Sequence, residues 1–137
     1  MNQIRVKSLS IPKLFSLPLD IPEYQRPYVW TKNEVLTLLK DIYAYQHHSQ
    51  EEPMYYLGSI ILHEHDNLYS IIDGQQRITT LAILLHILSS QQKISIKYHS
   101  PVSIENIRKN AQIIREFCTE KDINEHTLQH INVTLVI

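Results

Sequence analysis

The sequence predicts an α+β domain around one core, and three features predict it: two neighbouring β-rich runs joined by a turn pair, one helix apolar on nearly every face, and amphipathic helices on either side. At 137 residues and 43% hydrophobic, the chain has room for one such core, so residues 1–137 read as a single domain with 1–20 as an extended N-terminal arm.

Each element follows from its residues. Ile11 to Pro27 carries Pro12, Pro18, Pro22 and Pro27, each fixing its own φ and pushing its predecessor toward extended backbone, so this stretch reads as extended chain with room for one short strand. Thr31-Lys32-Asn33-Glu34 matches a capping box flanked by Trp30 and Val35 as a hydrophobic staple. The helix it starts is carried by Val35, Leu38, Leu39 and Ile42 and fades at the polar run His47 to Glu52, read as a loop. Tyr55 to Leu62 and Leu68 to Ile72 are aromatic and β-branched, with Asp66-Asn67 between them as a turn, which predicts a hairpin. Ile78 to Leu88 is the all-apolar, buried helix. Ser103 is expected to cap a third helix whose apolar stripe is Ile104, Ile107, Ala111, Ile114 and Phe117. Ile131 to Ile137 alternates like a strand; left unpaired at the chain end, it would invite a homodimer through strand pairing.

Composition narrows the function classes. A formal charge of -1 supplies no global attraction to nucleic acid, so any DNA contact has to come from a local patch. The single cysteine, Cys118, next to Phe117, fits a buried thiol in a reducing compartment. No apolar run approaches the roughly 20 residues of a membrane span, and residues 1–7 lack a signal-peptide core, so a cytoplasmic, membrane-free protein is expected.

Two segments carry chemistry. A strand that ends in Asp73-Gly74 and opens into a buried helix gathers free backbone N–H groups and the positive end of the helix dipole, which favours an anion such as phosphate. Arg77 adds a planar fork of donors; Gln75 and Gln76 offer both donors and acceptors for a water or a base edge; Asp73 suits Mg²⁺ or a proton from an attacking water. The same residues also suit an ordinary Asp N-cap with solvated glutamines and a surface arginine, and the two readings stand side by side. Ile21 to Trp30 sets Gln25 and Arg26 among three aromatics and two prolines, a rigid display of donors beside stacking surfaces that suits a nucleotide. Alternatively Tyr24, Tyr28 and Trp30 anchor an arm to the core while Arg26 meets a carboxylate.

Ile-Pro-x-Tyr-Gln-Arg-x-Tyr-x-Trp at Ile21 to Trp30, the Tyr56-Leu57-Gly58-Ser59 run, and Asp73-Gly74-Gln75-Gln76-Arg77-x-Thr79-Thr80-Leu81 together resemble the N-terminal domain of GmrSD-type modification-dependent (type IV) restriction proteins. The resemblance implies a ParB/sulfiredoxin-like fold: a small mixed sheet with a hairpin, a buried central helix after the DGQQR turn, and flanking helices. It also implies an anti-phage role with hydrolysis of a nucleoside triphosphate, GTP being one candidate, and Mg²⁺ as its companion. Asp73, Gln75, Gln76 and Arg77 would be catalytic; Tyr24, Gln25, Arg26, Gly74, Arg77 and Thr79 would bind the nucleotide, with Tyr24 to Arg26 as a wall of the same cleft or a sensor of modified DNA. Partners so implied are the nucleotide, modified DNA and a C-terminal HNH nuclease domain. Neither an HNH signature nor the family's Phe-x-x-x-Asn-x-x-Gly type motif occurs here, so a truncated domain is expected. The alternative is a non-catalytic module that senses a nucleotide or modified DNA.

The remaining residues read as structural. His63-x-His65 shares a strand face but lacks further ligands, and no metal site is assigned to protein residues alone. His47-His48 reads as solvated loop and His86 as a hydrogen-bonded core histidine. Cys118 reads as core, and Lys93, Lys97, Arg108, Lys109 and Arg115 as a solvated basic face.

Overall fold

The computed structural model describes residues 4–22, 25–48, 55–89, 96–98 and 100–137. Its strands are β1 (Val6–Ser10), β2 (Leu19–Asp20), β3 (Tyr55–His65), β4 (Leu68–Asp73), β5 (Ile96–Lys97) and β6 (Ile131–Val136). Its helices are α1 (Ile11–Leu14), α2 (Lys32–His48), α3 (Gln75–Leu88) and α4 (Pro101–Glu120), with a 3-10 helix at Glu125–His130. The strands form one mixed sheet in the order β1-β6-β3-β4-β2-β5. This is the α+β class the sequence predicts, and none of the described helices is long and apolar enough to cross a membrane.

The hairpin β3–β4 turns on Asp66 and Asn67, both left-handed at φ 47° and 64°. That pair of positive angles is the primed turn whose twist matches the flanking strands. Behind it, α3 is buried from Ile78 to Leu85: Ile78, Leu81, Leu84 and Leu85 are closed to solvent, and the helix packs on α4, which in turn packs on α2.

Several expectations need correction. The terminal strand is not left open, because β6 pairs antiparallel with β1 and parallel with β3, so both its edges are used and the expected dimerisation edge does not exist there. Residues 4–20 are more than an extended arm. β1 lies on the sheet, and α1 follows it with Pro12 in its first turn, where a missing N–H costs nothing; Ile11 and Leu14 enter the core. The helix α2 continues through the polar His47-His48 pair, since Gln46 binds Asp122, Asn124 and Thr127 and the His47 ring rests on Tyr43. Residues 49–52 of the expected loop, like Tyr24, lie outside the described residues. Ser100, not Ser103, caps α4, accepting the Ser103 N–H at 3.5 Å with Pro101 behind it. His86, in the last turn of α3, is exposed.

Exposure also redraws the α4 stripe: Ile114 is buried, whereas Ile104 is 56% exposed. Leu84→Ala should therefore cost about 2–5 kcal/mol of stability, while Ile104→Ala should stay within about 0.5 kcal/mol. Urea denaturation of the two variants checks this, and equal losses would contradict the assigned core.

Candidate functional site

The start of α3 is set by Gly74, which occupies the N-cap at φ 98°. A Cβ there would lie 2.6 Å from Ile60 Cγ2, so sterics and backbone angle both demand glycine. Having no side chain, Gly74 caps nothing, and the first helical bond runs from the Ile78 N–H to the Gly74 carbonyl. The N–H groups of 75–77 therefore have no intrahelical acceptor. Asp73 is the last residue of β4 and exposed, so the plain Asp N-cap reading does not hold.

The side chains of this first turn diverge. Arg77 reaches β3, where its Nη1 donates to the Leu57 carbonyl. It can do so because β3 bulges there: from Tyr56 to Ser59 the strand takes three steps while β6 takes two, from Asn132 to Thr134. The bulge residue Gly58 sits at φ 112°, and a Cβ on it would come within 2.7 Å of Arg77 Nη1. The Tyr-Leu-Gly-Ser run thus exists, physically, as the seat of the DGQQR arginine. Arg77 also lines a cleft of about 420 Å³ together with Trp30, Tyr55, Tyr56 and Leu57. Glu34 and Asp41 of α2 line the same cleft. Hydrogen bonds from Thr31 hold the Glu34 carboxyl below its ordinary range, so it stays ionised.

Gln76 faces the other way and is buried. Its Oε1 accepts the Val29 N–H at 2.8 Å and its Nε2 donates to the Pro27 carbonyl at 2.9 Å. Gln75 makes a loose contact with Gln25 at 3.5 Å. Thr79 is buried, its hydroxyl accepting from Tyr98 at 2.8 Å. Gln25 and Arg26 line a second cavity of about 260 Å³ with Tyr98 and Ser100. The first two turns of α3 therefore carry Arg77 to one cavity, Gln75 and Gln76 toward the N-terminal segment and Thr79 toward Tyr98, so that of the N-terminal motif Trp30 shares the Arg77 cleft while Gln25 and Arg26 line a different cavity.

Sequence reasoning missed a polar stripe on α4. Ser103 Oγ accepts the Tyr28 N–H at 2.8 Å, Asn106 donates to the Tyr28 carbonyl at 2.8 Å, and Asn110 donates to the Trp30 carbonyl at 2.9 Å and to the Tyr28 hydroxyl at 2.8 Å. Their i, i+3, i+7 spacing was visible as a second stripe beside the apolar one. Thr80 gives its proton to the Gln76 carbonyl at 3.0 Å, so Tyr28 donates to Thr80 and a chain runs from Asn110 through Tyr28 and Thr80 to the α3 backbone.

The histidines bring no metal centre. His63 and His65 stack with centroids 5.0 Å apart, and no three His, Cys, Asp or Glu side chains converge among the described residues. Cys118 is half-buried, and burial raises its thiol pKa, the opposite of what a nucleophile needs.

Two outcomes follow. Gly58→Ala should cost about 1–3 kcal/mol in the native background, and less once Arg77→Ala has removed the clashing guanidinium. A double-mutant cycle by chemical denaturation measures that coupling, and purely additive losses would disconnect the bulge from the arginine. Burial raises the pKa of Tyr28 and Tyr98 above the ordinary value of 10.0. A folded pKa above the unfolded one means the stability linked to these phenols is complete below about pH 10 and is lost as pH rises toward their folded values. Tyr98→Phe should flatten the fall of Tm above about pH 10; a slope matching wild type would remove Tyr98 from the linkage.

Comparison with known proteins agrees with the motifs that converge here. No curated protein matches the chain. The family model described as the GmrSD restriction endonuclease, N-terminal domain, matches residues 8–135, a span that takes in the α3 start, the β3 bulge and the polar stripe of α4, and the chain belongs to that family.

Proposed function

We propose that this domain binds a nucleoside triphosphate and hydrolyses it, within a restriction system in which a nuclease acts on DNA. The observation that carries the reading is the uncapped α3 N-terminus, held open by Gly74, with Arg77 beside it in an aromatic cleft. Phosphate oxygens are received by the guanidinium and the N–H groups of 75–77, while Trp30, Tyr55 and Tyr56 offer surfaces for a base. The carboxylates of Glu34 and Asp41 make the α2 wall unfavourable for phosphate, which orients the triphosphate toward α3.

Mg²⁺ fits as a companion of the nucleotide. It needs one or two carboxylates plus substrate phosphates rather than a protein cage, and Asp73 supplies one exposed carboxylate at the end of β4. When bound, the ion would neutralise phosphate charge. Water attacks the terminal phosphorus, the bond to the bridging oxygen breaks, and Asp73 takes the proton. Gln75 is the glutamine left to orient that water, because both ends of the Gln76 amide are engaged by the N-terminal segment. That engagement also supports a second reading, in which the cleft senses a nucleotide without turning it over. The Gln25–Arg26 cavity is then the place for a modified-DNA contact.

A thermal-shift titration with nucleoside triphosphates and Mg²⁺, paired with phosphate release, tests both. Arg77→Ala should weaken binding about tenfold or more, and Asp73→Ala should keep binding while release falls about a hundredfold. Binding without release in the wild-type chain selects the sensing reading. Wild-type turnover in Asp73→Ala removes the role given to that carboxylate, and no nucleotide-induced shift in any condition sinks the proposal.

A further inference from the structure

The clamp on Pro27 to Trp30 has a consequence for the cleft. Trp30 is the one tryptophan of the chain, and its side chain forms a wall of the cleft that Arg77 lines. The Trp30 carbonyl is held by Asn110, a buried residue of α4 whose amide spends its two hydrogens on the Tyr28 hydroxyl and the Trp30 carbonyl.

We infer that Asn110 is a positioning residue for ligand selectivity: through its bond to the Trp30 carbonyl it sets the indole as the stacking wall for a nucleobase, while phosphate binding at Arg77 is independent of it. This rests on the nucleotide-binding reading above. Asn110 touches no ligand. It lies on α4, whereas Arg77 and the N–H groups that receive phosphate belong to α3 and are seated by Gly74 and Gly58; Asn110 reaches α3 only indirectly, through Tyr28 and Thr80 to the Gln76 carbonyl. Loss of the Asn110 donors leaves the Trp30 carbonyl and the Tyr28 hydroxyl without that partner, so the backbone at Trp30 shifts before the α3 start does. Asn110 thus bears directly on the base-binding wall and only through two intervening hydroxyls on the phosphate seat.

The test compares two probes on the purified chain, a nucleoside triphosphate and inorganic triphosphate, which lacks a base. Asn110→Leu, of similar size and without donors, should weaken nucleoside triphosphate binding about five- to tenfold and leave inorganic triphosphate within about twofold of wild type. The ligand-free variant should also show a shifted Trp30 emission maximum and altered acrylamide quenching. Should the leucine variant not fold, the nearly isosteric Asn110→Asp, which exchanges the donors for an acceptor, serves in its place. Equal weakening of both probes, or unchanged affinity for both, overturns the inference, as does unchanged Trp30 emission. If the wild-type chain binds neither probe, the nucleotide reading itself fails and carries this inference down with it; binding of both probes in wild type separates the two failures.

Discussion

A stretch of chain that carries Pro22 and Pro27 cannot take a regular place in a sheet, because each proline removes a ladder donor, yet its remaining backbone groups still need partners where they are buried. In Pro27 to Trp30 five backbone groups find them in side chains: Gln76 takes the Pro27 carbonyl and Val29 N–H, Ser103 the Tyr28 N–H, Asn106 the Tyr28 carbonyl and Asn110 the Trp30 carbonyl. The segment is a strand in all but its partners, paired on two sides by helices. The N-terminal motif, α3 and α4 are consequently one mechanical unit, and the buried Tyr28 hydroxyl chain ties them at a second depth. Buried networks of this kind are worth keeping only when every member is satisfied, and no buried side-chain nitrogen or oxygen among the described residues lacks a partner.

The unit explains why the DGQQR residues part company. Consecutive helical side chains project about 100° apart, so Gln76 and Arg77 cannot both face one cavity. Gln76 turned inward serves the clamp; Arg77 turned toward β3 serves the cleft. The bulge at Gly58 completes the arrangement by turning the Leu57 carbonyl to the guanidinium, which fixes the charge in place rather than leaving a flexible surface arginine. A pre-seated cation loses little freedom on meeting an anion.

The sequence made the local elements legible because their signals are local: period-2 runs around a turn pair, a run of apolar residues after Gly74, a capping box at Thr31. Its failures are all matters of what each element meets. Alternation in Ile131 to Ile137 marks a strand but not its neighbours, and β1, over a hundred residues away, closes the edge that seemed open. Two serines three apart offered two caps for α4; the local pattern could not show that Ser103 was already committed to Tyr28. His47 looked like loop because its polarity is local, whereas the contact of its ring with Tyr43 is not apparent from polarity alone. At the site, residue types were legible and directions were not. Gln75, Gln76, Arg77 and Thr79 were grouped by adjacency, and the backbone of a helix disperses adjacent side chains by construction.

The charge pattern of the cleft then bears on chemistry. A pocket lined by Arg77 together with two carboxylates of α2 is not a general anion trap. It prefers a ligand whose negative charge is confined to one end and whose other end is neutral or donates hydrogen bonds, since a carboxylate near phosphate repels it while a carboxylate near an amino group is stabilising. A nucleotide has that polarity, and inorganic phosphate does not. On the nucleotide-binding reading proposed above, selectivity for a nucleotide over a bare anion does not need a base-specific hydrogen bond; an arginine seated by a glycine bulge and the Glu34 and Asp41 carboxylates of α2 in the same cleft supply it.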